Sequence, residues 1–175
     1  MRKGLIHLYI GDGKGKTTAA LGLLLRAYGS GMRTVLVQFL KGRKTGEIRA
    51  LAQLAGVTVL RNSRDFGFYS SASDQDRAEM RCQNNENLLK ARCLVASGLC
   101  QLLVLDEIGV AYAQGALDTE IADKLILNKP AGLELVLTGR SVPDHFIEVA
   151  DYITKFIKCK HPHDRGIAAR EGIEF

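Results

Sequence analysis

Short apolar runs alternate along this chain with longer segments whose apolar residues recur at helical spacing. The runs are typical of strands and occupy residues 5–10, 33–40, 57–61, 102–108, 133–139 and 152–158. Helices are predicted at 16–29, 47–55, 73–98, 118–130 and 143–150, with Ser73 and Asp118 as caps of two of them. Strands that alternate with helices form β-α-β units, so the pattern predicts an α/β fold in three layers. Its sheet is expected to be mainly parallel and about six-stranded, with helices on both faces.

Size and composition fit one folded unit. The chain has 175 residues, 46% of them apolar and 25% charged, so we expect a single domain over residues 1–175. No apolar run approaches the roughly 20 residues of a membrane span, and no signal peptide is expected. The predicted location is therefore the cytoplasm, without membrane association. The net charge of +5 fits an anionic ligand such as a nucleotide, and no nucleic-acid partner is expected because basic stripes with interleaved aromatic residues are not evident.

The cysteines give no sign of a metal site or a disulfide framework. They stand at positions 82, 93, 100 and 159, without C-x-x-C spacing or a paired histidine motif. Two of them fall in a helical pattern and a third borders a strand. We therefore predict buried free thiols.

A glycine-rich stretch joins the first strand to the first helix and reads GDGKGKTT over residues 11–18. Glycines between a strand and a helix direct backbone N–H groups and the positive helix end at one point, where phosphate binds. Lys16 can neutralise phosphate charge, and the Thr17 hydroxyl can ligate Mg²⁺. Gly11, Gly13 and Gly15 are expected to let the backbone approach the anion without a Cβ clash. The stretch predicts a P-loop, and with the alternating strands and helices above it predicts a P-loop NTPase fold.

The loop departs from the standard P-loop pattern by one residue. That pattern has a glycine five positions ahead of Gly15, where this chain has Ile10; the nearest glycine, Gly11, is one residue too close. The departure raises the question of how a shortened loop would hold a nucleotide.

A second acidic element follows the strand at 102–106, which ends in Asp106 and Glu107. Carboxyl ends of neighbouring strands meet at one sheet edge, so we expect Thr17, Asp106 and Glu107 to be the metal ligands of a Mg²⁺·nucleoside triphosphate site, with Mn²⁺ as a possible substitute. The site does not name a reaction. A P-loop ATPase, in which Glu107 would orient water, or a small-molecule kinase is one alternative; an ATP-switched binding module is another.

Motifs along nearly the whole chain point to one family. They are "GDGKGKTTAALG" at 11–22, "VQFLKG" at 37–42, "GE" at 46–47, "GF" at 67–68, "VLDEI" at 104–108, "LTGR" at 137–140 and the ending "KHPHDRGIAAREGIEF". In this combination the sequence resembles the P-loop-type ATP:corrinoid adenosyltransferases, which transfer the 5′-deoxyadenosyl group of ATP to cob(I)alamin and release triphosphate. The resemblance implies ATP as the adenosyl donor, a corrinoid substrate such as cobalamin or cobinamide, a homodimer, and a flavoprotein as a plausible source of Co(I).

The resemblance also implies roles for individual residues. Lys16 and Phe68 are the expected catalytic residues, one at the leaving triphosphate and one over the corrin ring. The residues expected to bind the nucleotide are Gly11, Asp12, Gly13, Lys14, Gly15, Lys16, Thr17, Thr18, Arg26, Glu107 and Arg140. Arg26, about two and a half turns from Lys16, either reaches the nucleotide or is a solvated helix arginine. Arg140 contacts phosphate or a neighbouring subunit, or serves the fold.

Two features bear on how such an enzyme would work here. In adenosyl transfer the attack falls at C5′ and the whole triphosphate leaves, so a loop altered by one residue is free to grip the chain in another register or direction. That is our hypothesis for the Ile10/Gly11 mismatch. The Gly67-Phe68 pair is expected to lie over the corrin and free cobalt of its axial ligand. Some relatives have a tryptophan where this chain has Ser70, so Phe66 or Tyr69 is expected to compensate.

Overall fold

The fold, given by a computed structural model, is described for residues 3–43 and 45–174. Within these ranges one sheet is formed by the strands β1 (Ile6–Ile10), β2 (Thr34–Gln38), β3 (Val57–Arg61), β4 (Leu102–Asp106), β5 (Glu134–Gly139) and β6 (Tyr152–Lys155). Its strands are all parallel and lie in the order β3-β2-β4-β5-β1-β6. The predicted parallel α/β sheet is confirmed.

Helices pack on both faces of this sheet. They are α1 (Lys16–Gly29), α2 (Gly46–Leu51), α3 (Asp74–Ala96), α4 (Ile108–Ala113), α5 (Thr119–Leu127) and α6 (Asp144–Glu148). The apolar residues of α1 and α2 join one core cluster, and those of α3 to α6 join the cluster on the opposite face. The central strands β2, β4 and β5 are buried throughout because helices cover them on both sides, which explains their continuous apolar sequences.

The predicted helix caps are present. The Ser73 hydroxyl accepts a hydrogen bond from the backbone N–H of Asp76, and the Asp118 carboxylate accepts from the backbone N–H groups of Glu120 and Ile121. Each cap satisfies donors that the first turn of a helix leaves without a partner. The starts of α3 and α5 are therefore fixed by local sequence.

Several boundaries differ from the prediction; β6 ends at Lys155 instead of residue 158, and α2 ends at Leu51 instead of residue 55. Helix α4 was not predicted, because its apolar residues continue the run of β4; the chain turns there at Glu107, whose φ is 63°. Gly109 lets α4 pack closely on the segment after β5, since a Cβ atom there would lie 2.0 Å from the Ser141 carbonyl oxygen. Strand β2 ends at Gln38 instead of residue 40, because Leu40 also takes a left-handed φ of 58°.

The prediction of buried cysteines is wrong for three of the four. Cys100 is buried, and burial raises the pKa of its thiol to about 12. Cys82, Cys93 and Cys159 are exposed and free. The two cysteines in α3 lie outside the buried face of that helix, a face that the weak apolar periodicity of its sequence did not define. The buried residues of α3 are Met80, Asn84, Asn87, Leu88, Ala91 and Val95.

Candidate active site

The first half of the glycine loop is fixed to neighbouring backbone. The Gly11 N–H donates to the Arg140 carbonyl oxygen at 3.0 Å, and the Gly13 N–H donates to the Phe156 carbonyl oxygen at 2.8 Å. A Cβ atom on Gly11 would lie 2.3 Å from that Phe156 oxygen, and one on Gly13 would lie 2.8 Å from backbone atoms of Phe156 and Ile157. These two glycines are thus required by the segment after β6, and their approach to an anion stays a prediction.

The second half of the loop carries the free donors. Gly15 has a φ of 113° and precedes α1, whose first turn leaves its backbone N–H groups without helical acceptors. The Lys16 ammonium donates to the Gly13 carbonyl oxygen at 2.7 Å and so lies over the loop. Because the amides of Gly11 and Gly13 are already bonded to backbone, we take residues 14–18 as the candidate anion cradle.

Asp106 is the centre of a buried hydrogen-bond network at the carboxyl edge of the sheet. It is fully buried at the end of β4. Its Oδ1 atom accepts from the Thr17 and Thr138 hydroxyls, each at 2.8 Å, and its Oδ2 atom accepts from Lys41 Nζ at 2.7 Å and Gln38 Nε2 at 3.3 Å. Four donors compensate for the desolvation of this carboxylate, and they come from α1, β5, β2 and the loop after β2.

Glu107 lies beside this network. Its backbone N–H donates to the Thr138 hydroxyl at 2.8 Å, which stabilises the left-handed turn into α4. Burial, together with the neighbouring charge of Asp106, raises the pKa of the Glu107 carboxyl, while Lys41, Lys16 and Arg140 act in the opposite direction. The structure therefore brings Thr17 and Asp106 into contact and places Glu107 next to them.

The oxygens of Thr17 and Asp106 suit a hard cation such as Mg²⁺. Within the described residues, no group of three or more His, Cys, Asp and Glu side chains is placed to hold a metal ion on its own. Mg²⁺ in nucleotide sites commonly takes one or two protein ligands and completes its shell with phosphate oxygens and water. The donor set thus fits a metal that is bound together with a nucleotide.

A cavity of about 750 Å³ extends from Thr17 and Thr18, at the end of the loop, to Phe68. It is lined by Thr17 and Thr18 on α1, by the segments 40–43 and 45–47 after β2, by Asp65, Gly67 and Phe68, and by residues 172–174 near the C-terminus. The Phe68 side chain is 83% exposed, although large apolar side chains are usually covered. Gly67, with a φ of 70°, turns the chain ahead of it.

The aromatic residues around Phe68 are engaged elsewhere. The Arg64 guanidinium lies over the Phe66 ring, with its Cζ atom 4.0 Å from the ring centre. Tyr69 packs against the core, and its carbonyl oxygen accepts a hydrogen bond from Arg77. Of the three predicted aromatic residues of this segment, Phe68 is the one that lines the cavity.

The C-terminal segment closes the cavity at the loop. The Glu174 carboxylate accepts from Lys14 Nζ at 3.1 Å and from the backbone N–H of Arg170 at 2.8 Å. The Arg170 side chain also donates to it. These bonds lower the pKa of Glu174 to about 2. The sequence gives no local signal for the contact between Lys14 and Glu174, because these two residues are 160 apart.

A family model described as "ATP:corrinoid adenosyltransferase BtuR/CobO/CobP" matches residues 2–175 of this chain. The chain belongs to this family. It is 36% identical to a corrinoid adenosyltransferase of Sinorhizobium sp, 32% to one of Pseudomonas aeruginosa and 30% to one of Escherichia coli K12. Each match covers 99% of this chain and between 81% and 86% of the relative. The resemblance inferred from the motifs is confirmed.

The structure places Arg26 of this adenosyltransferase away from the loop, whereas Arg140 contacts the loop and Asp12 is part of it. Arg26 is exposed in the last turn of α1, about 15 Å along the helix from Lys16. Arg140 is exposed after β5 and contacts the loop through its carbonyl oxygen. Asp12 is exposed and accepts from the Lys158 N–H at 3.2 Å. Roles of these residues toward a nucleotide stay predictions.

Two lysines at the site differ in how well sequence indicates them. The P-loop motif indicates Lys16. The contact of Lys41 with Asp106 joins residues that are 65 apart in sequence, and it follows only from the pairing of β2 with β4.

The last residue of the matching C-terminal motif, Phe175, lies outside the described residues. Among the helices of residues 3–43 and 45–174, none has both the length and the apolarity that a membrane crossing needs.

Proposed function

We propose that this adenosyltransferase transfers the 5′-deoxyadenosyl group of ATP to the Co(I) centre of a corrinoid and releases intact triphosphate. The observation that carries the proposal is one cavity that is lined both by Thr17 and Thr18, the last two residues of the candidate anion cradle at 14–18, and by the exposed Phe68. Membership of the family supplies the two substrates, ATP and a corrinoid.

The reaction needs little chemistry from protein side chains. Cobalt(I) donates an electron pair to C5′ of ATP, the cobalt–carbon bond forms, and the C5′–O bond breaks. The electron pair of that bond leaves with the triphosphate, and cobalt is formally oxidised to Co(III). No proton has to be removed from the nucleophile. The tasks left to the chain are to hold the two substrates in line and to stabilise the leaving anion.

The second half of the loop is suited to the leaving anion. The backbone N–H groups of residues 14–18 and the Lys16 ammonium carry positive charge at the start of α1. The amides of Gly11 and Gly13 are bonded to backbone and do not contribute. A cradle shortened in this way supports our hypothesis that the triphosphate is held in a register unlike that of phosphoryl-transfer enzymes.

We assign the metal to Thr17 and Asp106, with Glu107 as a further candidate ligand. Mg²⁺, or Mn²⁺ in its place, would neutralise phosphate charge there. Thr17 Oγ1 and Asp106 Oδ1 lie 2.8 Å apart, a separation that two oxygens in one coordination shell can share. The remaining ligands would come from the nucleotide and from water.

Phe68 is proposed to lie against the corrin ring and keep axial ligands from cobalt. Its ring is exposed toward the cavity, and the aromatic neighbours Phe66 and Tyr69 are held by other contacts. We further propose a homodimer, a flavoprotein reductant and a location in the cytoplasm, all by analogy with the family.

Product analysis separates this function from the alternative of a P-loop ATPase or small-molecule kinase. The protein is mixed with Mg·ATP and a chemically reduced corrinoid, and the nucleotide and cobalt products are measured. We expect triphosphate and a light-sensitive alkylcobalt product. Release of ADP with orthophosphate, without alkylated cobalt, would instead support an ATPase. The variant Lys124→Met removes a lysine from the exposed side of α5 and serves as the control for loop variants.

A further inference from the structure

Lys41 places its ammonium group between the two side chains assigned to the metal. Its Nζ atom donates to Asp106 Oδ2 at 2.7 Å and to Thr17 Oγ1 at 3.3 Å. Asp106 is fully buried, whereas the Lys41 side chain is 30% exposed and lines the cavity. The ammonium therefore lies against the oxygens that a divalent cation would use, and it has an open path toward the cavity.

The backbone around Lys41 fixes this position. Leu40 has a φ of 58°, which is uncommon for a leucine. A Cβ atom at position 42 would lie 1.6 Å from the Arg64 carbonyl oxygen, so Gly42 is required there. The Phe39 N–H donates to the Asp106 carbonyl oxygen at 3.0 Å. These contacts make the approach of Lys41 to Asp106 a property of the fold, unlike the free rotation of a surface lysine.

We propose that Lys41 is a built-in cation that excludes free divalent metal from Thr17 and Asp106 until a nucleotide binds. This inference rests on the proposed function, because the nucleotide is what releases Lys41. A divalent ion and an ammonium at one carboxylate repel each other. A triphosphate brings enough negative charge to hold both, so the ammonium moves from Asp106 to the phosphates as the metal arrives with ATP.

Two consequences follow for the reaction. Metal reaches the site only as its nucleotide complex, so the free protein does not take up metal alone. Lys41 then adds a positive charge to the triphosphate that leaves, beside that of Lys16. In this account Lys41 controls the order of binding and positions the anion.

Titration with Mn²⁺ alone, followed by electron paramagnetic resonance, tests the exclusion without any turnover. The proteins compared are the wild type, Lys41→Met, Lys41→Arg and the control Lys124→Met. We expect Lys41→Met to bind free Mn²⁺ at least about tenfold more tightly than the wild type, because a positive charge at the metal position is removed. Lys41→Arg keeps the charge and should stay within about threefold of the wild type, as should the control. Equal affinity of Lys41→Met and the wild type would overturn the proposal.

A second measurement uses only the wild type and so does not depend on the folding of a variant. Paramagnetic broadening of the Thr17 and Glu107 amide signals reports metal at the site. Free Mn²⁺ should leave these signals sharp at concentrations where Mn²⁺·ATP broadens them. Equal broadening by the free ion contradicts the proposal.

Failure of the proposed function gives a different pattern. If Mn²⁺·ATP binds and Lys41→Met gains affinity for the free ion, but the products are ADP and orthophosphate, the exclusion stands and adenosyl transfer does not. If triphosphate and alkylcobalt form while the wild type binds free Mn²⁺ as well as Lys41→Met does, transfer stands and the role of Lys41 is wrong.

Discussion

The cavity has two walls, and the side chains on them are held in different ways. On the phosphate wall, Thr17 and Lys41 line the cavity and donate to the fully buried Asp106 behind them, which also accepts from Thr138 and Gln38. On the opposite wall, the Phe68 ring is 83% exposed and follows a glycine in a left-handed conformation.

The difference indicates what each wall does. Stabilisation of a leaving anion requires donors that are already oriented, and the network around Asp106 holds Lys41 and, through Thr17, the start of α1 in place. An aromatic ring with few contacts can adjust its position to a large flat ligand, and the ring becomes buried when that ligand binds. We therefore expect substitutions on the phosphate wall to affect both stability and catalysis, and Phe68 to affect catalysis alone.

The largest stability effect is expected at Asp106. Asp106→Ala removes the acceptor of four donors, two of which, Thr138 and Gln38, make buried hydrogen bonds, and it should lower the free energy of unfolding by about 3–5 kcal/mol. Urea denaturation followed by circular dichroism measures the change. The control Glu120→Ala removes an exposed carboxylate of α5 and should change it by less than about 0.5 kcal/mol. A loss at Asp106 as small as that of the control would mean that the phosphate wall is not held as described.

A large catalytic effect is expected at Lys16. Lys16→Met removes a positive charge from the anion cradle and should lower the rate of triphosphate release by about 10²–10³-fold. The measurement is the initial rate with chemically prepared Co(I) corrinoid, and Lys124→Met is the control for loss of a lysine. Retention of more than about half the wild-type rate would be incompatible with a role of Lys16 at the leaving group.

Phe68→Ala tests the flexible wall. Because the ring contacts little in the free protein, the free energy of unfolding should change by less than about 0.5 kcal/mol. The rate from Co(II) corrinoid with a reductant should fall at least about tenfold more than the rate from prepared Co(I). The matched control Phe66→Ala, from the same segment, should leave the ratio of the two rates unchanged. Equal losses from both cobalt states would argue against a role of Phe68 in freeing cobalt of its axial ligand.

The smallest effect concerns the C-terminal segment beside the loop. The folded-state pKa of Glu174 is lowered from 4.5 to about 2, so the stabilisation from its ionised form is present above pH 4.5 and is lost as the pH falls toward 2. The Arg170 amide donates to this carboxylate, and its NMR shift should titrate with a midpoint near 2. Glu174→Gln should abolish the titration, whereas Glu171→Gln should preserve it. A midpoint at the ordinary value of 4.5 would show that the contact does not form in solution.

Local patterns predict the elements of this fold well where periodicity and caps coincide. The start of α3 at the Ser73 cap and the extent of α1 from Lys16 to Gly29 agree with the prediction. Helix α4 was missed because a short apolar helix after a buried strand has the same composition as the strand. Its start depends on the left-handed Glu107, which apolar periodicity does not reveal.

The site was predictable in its motifs and less so in its contacts. Thr17 and Asp106 were predicted to meet because parallel strands end at one sheet edge, and they do. The Gly11 N–H bonds to Arg140, just after β5, and the Gly13 N–H bonds to Phe156, just after β6, so both bonds depend on segments that lie more than 120 residues further along the chain. Lys14 with Glu174 is another such long-range pair. Sequence patterns indicate which residue types are present, but distances of this kind come only from the assembled sheet.

The most direct test of adenosyl transfer follows the bond that breaks. ATP labelled with ¹⁸O at the bridge between C5′ and the α-phosphorus is incubated with the protein, Mg²⁺ and a Co(I) corrinoid, and the products are analysed by mass spectrometry. Cleavage at C5′ predicts that all the label leaves in triphosphate, in a one-to-one ratio with alkylated cobalt. Label retained in ADP, with unlabelled orthophosphate, would contradict it.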